Sequence, residues 1–228
     1  MLAKWEKLPP EMQVSEVRRY YDVLKSKPAS LFLKRTIDLL FSAVAILVVF
    51  FPSLLVALLI KLDSKGPVLF KQVRVGAGKK NFRILKFRTM VSNADKMGVQ
   101  VSTANDTRIT KFGKLLRKSK LDEAPQLVNV FLGNMTLVGT RPEVPKYVEK
   151  YNSEMLATLL LPPGITSQTS IDFRYENDML DNAENPEQVY IEKILPEKMK
   201  TNLKHLENFG LLNDTKTVID TFLCLFKR

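Results

Sequence analysis

The hydrophobic pattern of the chain is dominated by one stretch, Leu39 to Ile60, in which twenty-two residues pass without a charged side chain. A helix of this length is enough to cover the ~30 Å hydrocarbon core of a bilayer. Pro52 lies inside the stretch. Because proline removes one helical hydrogen bond and clashes with the preceding turn, the pattern predicts a membrane helix that kinks or breaks near Phe51.

Basic residues flank this stretch on both sides. They are Lys25, Lys27, Lys34 and Arg35 before it, and Lys61, Lys65, Lys71 and Arg74 after it. Basic flanks mark the cytoplasmic side of a membrane. The charges therefore favour a re-entrant hairpin, which enters and leaves the same leaflet, over a single straight span. A buried core helix of a soluble protein is the third alternative.

The segment before the membrane stretch has helical periodicity. From Glu11 to Lys25, apolar residues fall near helical spacing, which predicts an amphipathic helix. Its Tyr20-Tyr21 pair suits a membrane interface, and packing against a globular domain is equally compatible with the pattern.

The pattern after the membrane stretch changes to short extended runs. Val68 to Val75 and Phe82 to Met90 are separated by a glycine-containing turn, which predicts a β-hairpin. Helical patterns follow, at Leu127 to Leu132, 146 to 161, Pro186 to Glu207 and Asp214 to Arg228. The last has an apolar side typical of a helix that lies in a membrane interface.

The composition limits the classes of possible binding partner but does not identify one. The 228 residues carry a net charge of +11, which indicates an anionic partner: phospholipid headgroups, a phosphorylated small molecule or nucleic acid. A single cysteine, Cys224, excludes a disulfide framework and a cysteine-rich metal site. The only histidine, His205, argues against a histidine zinc site or a Ser-His-Asp triad, and we expect it on the surface. No secretory signal is apparent in the first thirty residues.

Two basic blocks follow the membrane stretch. Between Lys61 and Arg88 there are nine Lys or Arg and only one acid. Gly76, Gly78 and Lys79 superficially suggest a phosphate-binding loop, but the Walker spacing fails, so we interpret them as a turn. The second block runs from Arg108 to Lys120 without an acid, a pattern usual for a solvated or membrane-facing helix surface.

Two adjacent carboxylates, Asp122 and Glu123, follow the second basic block. One interpretation makes Asp122 the N-cap of the next helix. The other makes it a carboxylate nucleophile that attacks phosphorus, with Glu123 helping to hold a divalent cation. Arg141 lies in a proline-bounded loop, where a guanidinium could grip a phosphate or form a structural salt bridge.

Several motifs in a fixed order resemble the bacterial sugar transferases, the small monotopic phosphoglycosyl transferases. After the proline-containing membrane helix come Phe82 to Met90, Arg117, Leu121 to Gln126, Gly139 to Pro142 and Pro163 to Thr166. The resemblance begins near residue 30. It implies transfer of a sugar-1-phosphate from a UDP-sugar to polyprenyl (undecaprenyl) phosphate with release of UMP, the first membrane step of a bacterial surface glycan such as an exopolysaccharide.

The resemblance also implies roles for individual residues. Asp122 would form a covalent phosphosugar intermediate, and Glu123 would assist with Mg²⁺. The implied substrate contacts are Lys86, Arg88, Arg117, Gln126 and Arg141, and Pro52 matches the proline that breaks the re-entrant helix. The chain departs from the family after Thr166, where Ser167 to Arg174 replaces a Gly-Trp-Ala-Gln-Val-Asn-Gly-Arg sequence that many members carry, and this difference bears on sugar recognition.

Together these observations predict an α+β, mainly helical fold in three parts. Residues 1–30 form an N-terminal amphipathic segment, 31–61 a re-entrant membrane helix, and 62–228 a small cytoplasmic catalytic domain with a β-hairpin and interfacial amphipathic helices. The expected location is the cytoplasmic face of the bacterial inner membrane, in contact with phospholipid and not with nucleic acid, and a homodimer is left open. The alternative function is a membrane-tethered basic domain that binds nucleic acid or acidic lipid without catalysis.

Overall fold

The computed structural model describes residues 1–94, 106–175, 180 and 185–226, with side chains as far as Cys224 in the last helix. Helices predominate in this part of the chain, as the sequence predicts. They are α1 (Ser15–Lys25), α2 (Pro28–Asp63), α3 (Lys111–Ser119), α4 (Gln126–Phe131), α5 (Pro145–Val148), α6 (Gln168–Asp172), α7 (Pro186–Val189), α8 (Leu195–Glu207) and α9 (Leu211–Phe226). A π-helical turn, Tyr190–Ile194, joins α7 to α8.

Two small sheets accompany the helices. The predicted hairpin is confirmed: β1 (Leu69–Val75) pairs antiparallel with β2 (Asn81–Phe87), although β2 ends three residues before the predicted Met90. A second, parallel pair, β3 (Thr136–Val138) and β4 (Gly164–Thr166), is not predicted from the sequence. The chain needs glycine at 164, because a Cβ there would lie 2.2 Å from the backbone nitrogen of Gly139.

The apolar stretch belongs to α2, which is continuous from Pro28 to Asp63 with Pro52 inside it. The predicted break is therefore wrong, since the remaining helical hydrogen bonds hold the chain in one helix, while a kink at Pro52 stays a prediction. α2 is long and apolar enough to cross a membrane, and its most hydrophobic window is only 6% buried. Phe51 is 75% exposed. This exposure excludes the core helix of a soluble protein.

The N-terminal part of α2 is fixed to the globular part by two buried charges. Lys34 Nζ donates hydrogen bonds to the backbone oxygen of Val138 (2.7 Å) and to Oδ2 of Asp214 (2.6 Å). Four residues later, Asp38 accepts a hydrogen bond from the Thr136 hydroxyl at 2.6 Å. One helical turn therefore binds β3 and α9 together.

The C-terminal end of α2 is fixed to the same globular part. Ile60 is buried in a cluster with Phe87 of β2 and Leu116 of α3. The Arg88 guanidinium donates to the backbone oxygens of Ile60 and Ser64, at 3.3 and 2.5 Å. Cations are favourable at a helix C-terminus, where carbonyl groups lack helical partners.

The N-terminal segment packs against the domain. Its helix begins at Ser15 rather than the predicted Glu11, and Tyr20 and Tyr21 are 1% and 5% exposed. They share a core with residues 156–161 and 203–209. Of the two interpretations of the tyrosine pair, packing against the domain is confirmed.

The C-terminal helix α9 begins at Leu211, three residues before the predicted Asp214, and Lys227 and Arg228 lie outside the described residues. Its apolar side faces outward, with Val218, Ile219, Phe222 and Leu223 all exposed. These are the side chains for which the sequence predicts an interfacial position.

Candidate active site

Asp122 lies in a short 3₁₀ turn, Leu121–Glu123, between α3 and α4. The interpretation of Asp122 as a helix N-cap is wrong. The N-cap of α4 is Pro125, because the chain first makes this tight turn out of Lys120, whose φ of 58° is left-handed, and α4 starts only at Gln126. The Asp122 carboxylate is therefore not used to hold the helix.

The Asp122 carboxylate is buried without full compensation. The residue is 8% exposed, and its Oδ1 atom has no hydrogen-bond partner among the described residues. Burial raises the pKa of Asp122 above its ordinary value, although Lys86, Lys120 and Arg117 act in the opposite direction. An unpaired, desolvated carboxylate is costly to maintain and is a feature of functional sites.

Glu123 has the opposite environment. Its Oε1 atom accepts hydrogen bonds from Lys86 Nζ at 2.8 Å and from Arg141 Nη2 at 2.9 Å. Burial alone would raise the pKa of Glu123, but Arg141 and Lys86 outweigh it and hold the pKa well below its ordinary value. Burial lowers the pKa of Lys86 to about 8, with Glu123 opposing the shift. Glu123 is thus a fixed anion that positions two cations.

Arg117 and Gln126 lie on either side of this pair in sequence. Arg117 Nε donates to the Thr89 hydroxyl at 2.9 Å, and burial lowers the pKa of its guanidinium although the charge of Asp122 supports the protonated form. Gln126 is 1% exposed, and its Nε2 has no hydrogen-bond partner among the described residues. A buried amide donor without a partner is suited to a ligand oxygen.

Arg88 is the predicted contact that the structure places elsewhere. Its guanidinium is bound to carbonyl oxygens at the end of α2, and the residue is 6% exposed. The backbone nitrogen of Arg88 still donates to Val68 at 2.9 Å, one residue beyond β2, but its side chain is held by the end of α2. The contacts of Arg88 are structural.

Sequence reasoning missed the buried support of the Arg141 loop. Arg74 Nη1 donates to the backbone oxygen of Pro142 at 2.9 Å, and the Tyr190 hydroxyl donates to Glu143 Oε1 at 2.6 Å. Glu143 is 7% exposed. The available signal of this support was an acid two residues after Arg141 in a proline-bounded loop. An acid that becomes buried there needs partners, and those partners hold the loop.

His205 is also less exposed than the surface position that the sequence predicts. Its side chain is 19% exposed, with Nε2 lying 3.3 Å from Asp214 Oδ1. Asp214 is the partner of Lys34, so the histidine belongs to the attachment of α2 and not to the carboxylate pair.

The site residues fit a divalent cation only together with a ligand. No group of three or more His, Cys, Asp or Glu that could hold a metal occurs within the described residues. Mg²⁺ is commonly bound through one or two carboxylates plus substrate phosphates. The unpaired Oδ1 of Asp122 suits such a shared ion. The hydrogen bonds that Lys86 and Arg141 donate to Glu123 both end on Oε1, so Oε2 is a second candidate ligand atom in the described part of the site.

The chain has an exposed apolar helix of the kind found in membranes, and a carboxylate pair that lies among buried cations and suits an anionic ligand. These two features together define the class of protein. The model of one family, described as "Bacterial sugar transferase", matches residues 29–228. The chain belongs to the bacterial sugar transferase family, which confirms the resemblance seen in the sequence motifs.

Two curated relatives are similar to this chain over most of its length. It is 36% identical over 202 residues to the UDP-N-acetylgalactosamine-undecaprenyl-phosphate N-acetylgalactosaminephosphotransferase of Aeromonas hydrophila, covering 87% of this chain and 44% of the relative. It is 35% identical over 200 residues to the UDP-glucose:undecaprenyl-phosphate glucose-1-phosphate transferase of Klebsiella pneumoniae, covering 85% and 39%. The chain therefore spans less than half the length of these two relatives.

A third relative is similar over a shorter stretch. The "Exopolysaccharide production protein PSS" of Rhizobium leguminosarum bv. phaseoli is 52% identical over 113 residues, which cover 49% of this chain and 56% of the relative.

Proposed function

We propose that this protein transfers a sugar-1-phosphate from a UDP-sugar to undecaprenyl phosphate, forming undecaprenyl diphosphosugar and UMP. The observation that carries the proposal is the buried Asp122 carboxylate, whose Oδ1 has no partner among the described residues, next to a Glu123 that holds Lys86 and Arg141 in place. The names of the relatives support both substrates. The exopolysaccharide name of a third supports a role in a surface glycan.

The first half of the reaction forms a covalent intermediate. A carboxylate oxygen of Asp122 attacks the phosphorus that bears the sugar, a P–O bond forms, and the bond from that phosphorus to the bridging oxygen breaks. The electron pair of the broken bond leaves on UMP. Lys86, Arg141 and Arg117 supply positive charge for the phosphate oxygens, and such pre-placed charge stabilises the transition state.

The second half restores the carboxylate. A phosphate oxygen of the polyprenyl phosphate attacks the same phosphorus, and the acyl phosphate bond to Asp122 breaks. Splitting the transfer into two steps lets one site serve a soluble donor and a membrane acceptor in turn. When bound, Mg²⁺ held by Asp122 and Glu123 would neutralise charge on the diphosphate.

The attachment of α2 supports a re-entrant placement. A straight helix from Asp38 to Ile60 would extend about 33 Å, the thickness of a hydrocarbon core. A spanning helix would put these two positions on opposite faces of the membrane. Asp38 and Ile60 instead bind the same globular part, which favours entry and exit on one face. The exposed apolar side of α9 adds an interfacial contact.

The topology predicts that both flanks of α2 are inaccessible from outside the cell. Lys25→Cys and Lys65→Cys, made separately with Cys224→Ser, place a thiol at an exposed position on each flank. We expect neither to react with a membrane-impermeant maleimide in intact spheroplasts and both to react after permeabilisation. Labelling of either flank from outside would contradict the re-entrant placement.

The pKa of Lys86 predicts an alkaline limit to activity. Lys86 must be protonated to bind phosphate, and its pKa of about 8 means that this charge is present below pH 8 and lost as the pH rises through that value. We expect kcat/KM to fall about tenfold per pH unit well above pH 8. In Lys86→Arg the limb should move above pH 10, since arginine stays charged. If the alkaline fall in kcat/KM did not shift in Lys86→Arg, Lys86 would be excluded as its origin. Lys146→Arg, a substitution on the surface, is the control.

The proposed function is tested by UMP release from the detergent-solubilised protein, given Mg²⁺, undecaprenyl phosphate and each of a panel of UDP-sugars. We expect release with one donor or a small set of donors, and a stoichiometric burst without the acceptor, because the first half-reaction releases UMP. A burst that requires the acceptor would contradict the covalent intermediate. No release across the panel would favour a membrane-tethered binding domain.

A further inference from the structure

A cavity of about 550 Å³ lies beside the turn of the β-hairpin. Its walls include residues 1–3, 7 and 8, residues 76–78 and 80–82 of the hairpin, and the loop at 133–135. Sites for small molecules commonly occupy 300–1,000 Å³, so this cavity is large enough for a ligand of nucleotide size.

Cationic and apolar side chains both line this cavity. Lys7, Arg35 and Lys80 line the cavity, and among the described residues no Asp or Glu does so. The Arg35 guanidinium is held by hydrogen bonds to the backbone oxygens of α4, at 2.7 and 2.9 Å, which use two of its five donors. The half-buried side chains of Leu2 and Phe82 supply accessible apolar lining, backed by the buried Met135 and Leu160. Such a cavity suits an anionic ligand with an apolar part.

One wall of the cavity is the glycine turn, whose sequence only superficially resembles a phosphate-binding loop. Gly78 has a φ of +61°, and a Cβ added there would meet nothing within 4 Å, so its backbone is open to the space above it. Lys80 follows two residues later. A turn that presents open backbone beside a lysine is suited to anions without Walker spacing.

The cavity is separate from the carboxylate pair. Phe82 lines the cavity and Lys86 binds Glu123, and four residues of strand separate these two positions by about 13 Å. Its N-terminal wall also lies before residue 29, where the match to the family begins.

We propose that this cavity is a second binding site, specific for a phosphate ester whose apolar or aromatic part lies on Leu2 and Phe82. The phosphate is bound by Lys7, Lys80 and Arg35. The ligand is either a soluble phosphorylated compound or the phosphate of a membrane lipid. The inference does not depend on the proposed transfer reaction, because no group of the carboxylate pair takes part.

Trp5, the only tryptophan of the chain, provides a local probe. It begins the 3₁₀ turn that ends at Lys7. The fluorescence of the solubilised protein is titrated with inorganic diphosphate, dihexanoyl phosphatidate and, as a zwitterionic control, dihexanoyl phosphatidylcholine. Lys7→Ala/Lys80→Ala is compared with Lys4→Ala/Lys79→Ala, which removes the same charge from neighbouring positions that do not line the cavity.

We expect a saturable change that weakens about tenfold or more in Lys7→Ala/Lys80→Ala and not in the control pair. Saturation by diphosphate identifies a soluble ligand class, and saturation by phosphatidate alone identifies a lipid. An equal response in both double variants, or none with either phosphate probe, would overturn the proposal. Asp122→Asn should titrate like the unmodified protein, which separates this result from any failure of the transfer reaction.

Discussion

Replacing Asp122 by asparagine is expected to lower UMP release by about a thousandfold or more, because an amide cannot form the acyl phosphate of a covalent route. The change preserves shape in a pocket where Asp122 is 8% exposed and its Oδ1 has no partner among the described residues. Removing a buried charge that lacks a partner should leave the free energy of unfolding unchanged or raise it. Activity should therefore fall without loss of fold.

Two measurements separate this role from a structural one. Intact-mass analysis without acceptor should show the mass of one phosphosugar added to the unmodified protein and none added to Asp122→Asn. Asp63→Asn is the matched control, since Asp63 is exposed at the end of α2. More than a tenth of the original rate in Asp122→Asn would rule out Asp122 as the nucleophile.

Lys34→Met is expected to destabilise the protein by about 3–5 kcal/mol, the usual cost of breaking a buried ion pair by removing one partner. Lys34 and Asp214 side chains are 5% and 10% exposed. The substitution leaves Asp214 buried without its lysine partner, with the His205 ring 3.3 Å away, and it leaves the Val138 carbonyl without its donor. Thermal unfolding in detergent and resistance to trypsin measure the effect.

The companion variants distinguish the ion pair from general damage to the helix. Lys25→Met removes an exposed lysine from α1 and should change the melting temperature little. Lys34→Met/Asp214→Asn should be more stable than Lys34→Met, because the second change removes the uncompensated carboxylate. A double variant less stable than Lys34→Met would mean that Asp214 contributes chiefly through other contacts.

Features encoded by local pattern could be predicted. The length and apolarity of Leu39 to Ile60 indicate a membrane-type helix, and the glycine turn at 76–80 between extended runs indicates the hairpin that the structure contains. The motif order predicts one site that contains Asp122, Glu123 and Arg141, and the ion pair of Arg141 with Glu123 brings two of these side chains together.

Features that depend on distant contacts could not be predicted. Strands β3 and β4 have three residues each, too few to show an alternating pattern in the sequence. Asp122 has the residue type of an N-cap, and only the left-handed Lys120 turns it into a separate 3₁₀ segment. Arg88 belongs to a motif that the resemblance assigns to substrate contact. The end of α2 instead supplies the carbonyl groups that bind it.

The pairing of Lys34 with Asp214 also constrains the order of biosynthesis. The two residues are 180 positions apart in sequence. At 5–20 residues per second, a ribosome delivers Asp214 roughly 9–36 s after Lys34. Helix α2 is therefore made long before its buried lysine has a partner, and contacts of such high sequence separation form slowly. Until α9 is made, this amine lacks its carboxylate partner and must stay hydrated, because an unpaired charge is costly to bury.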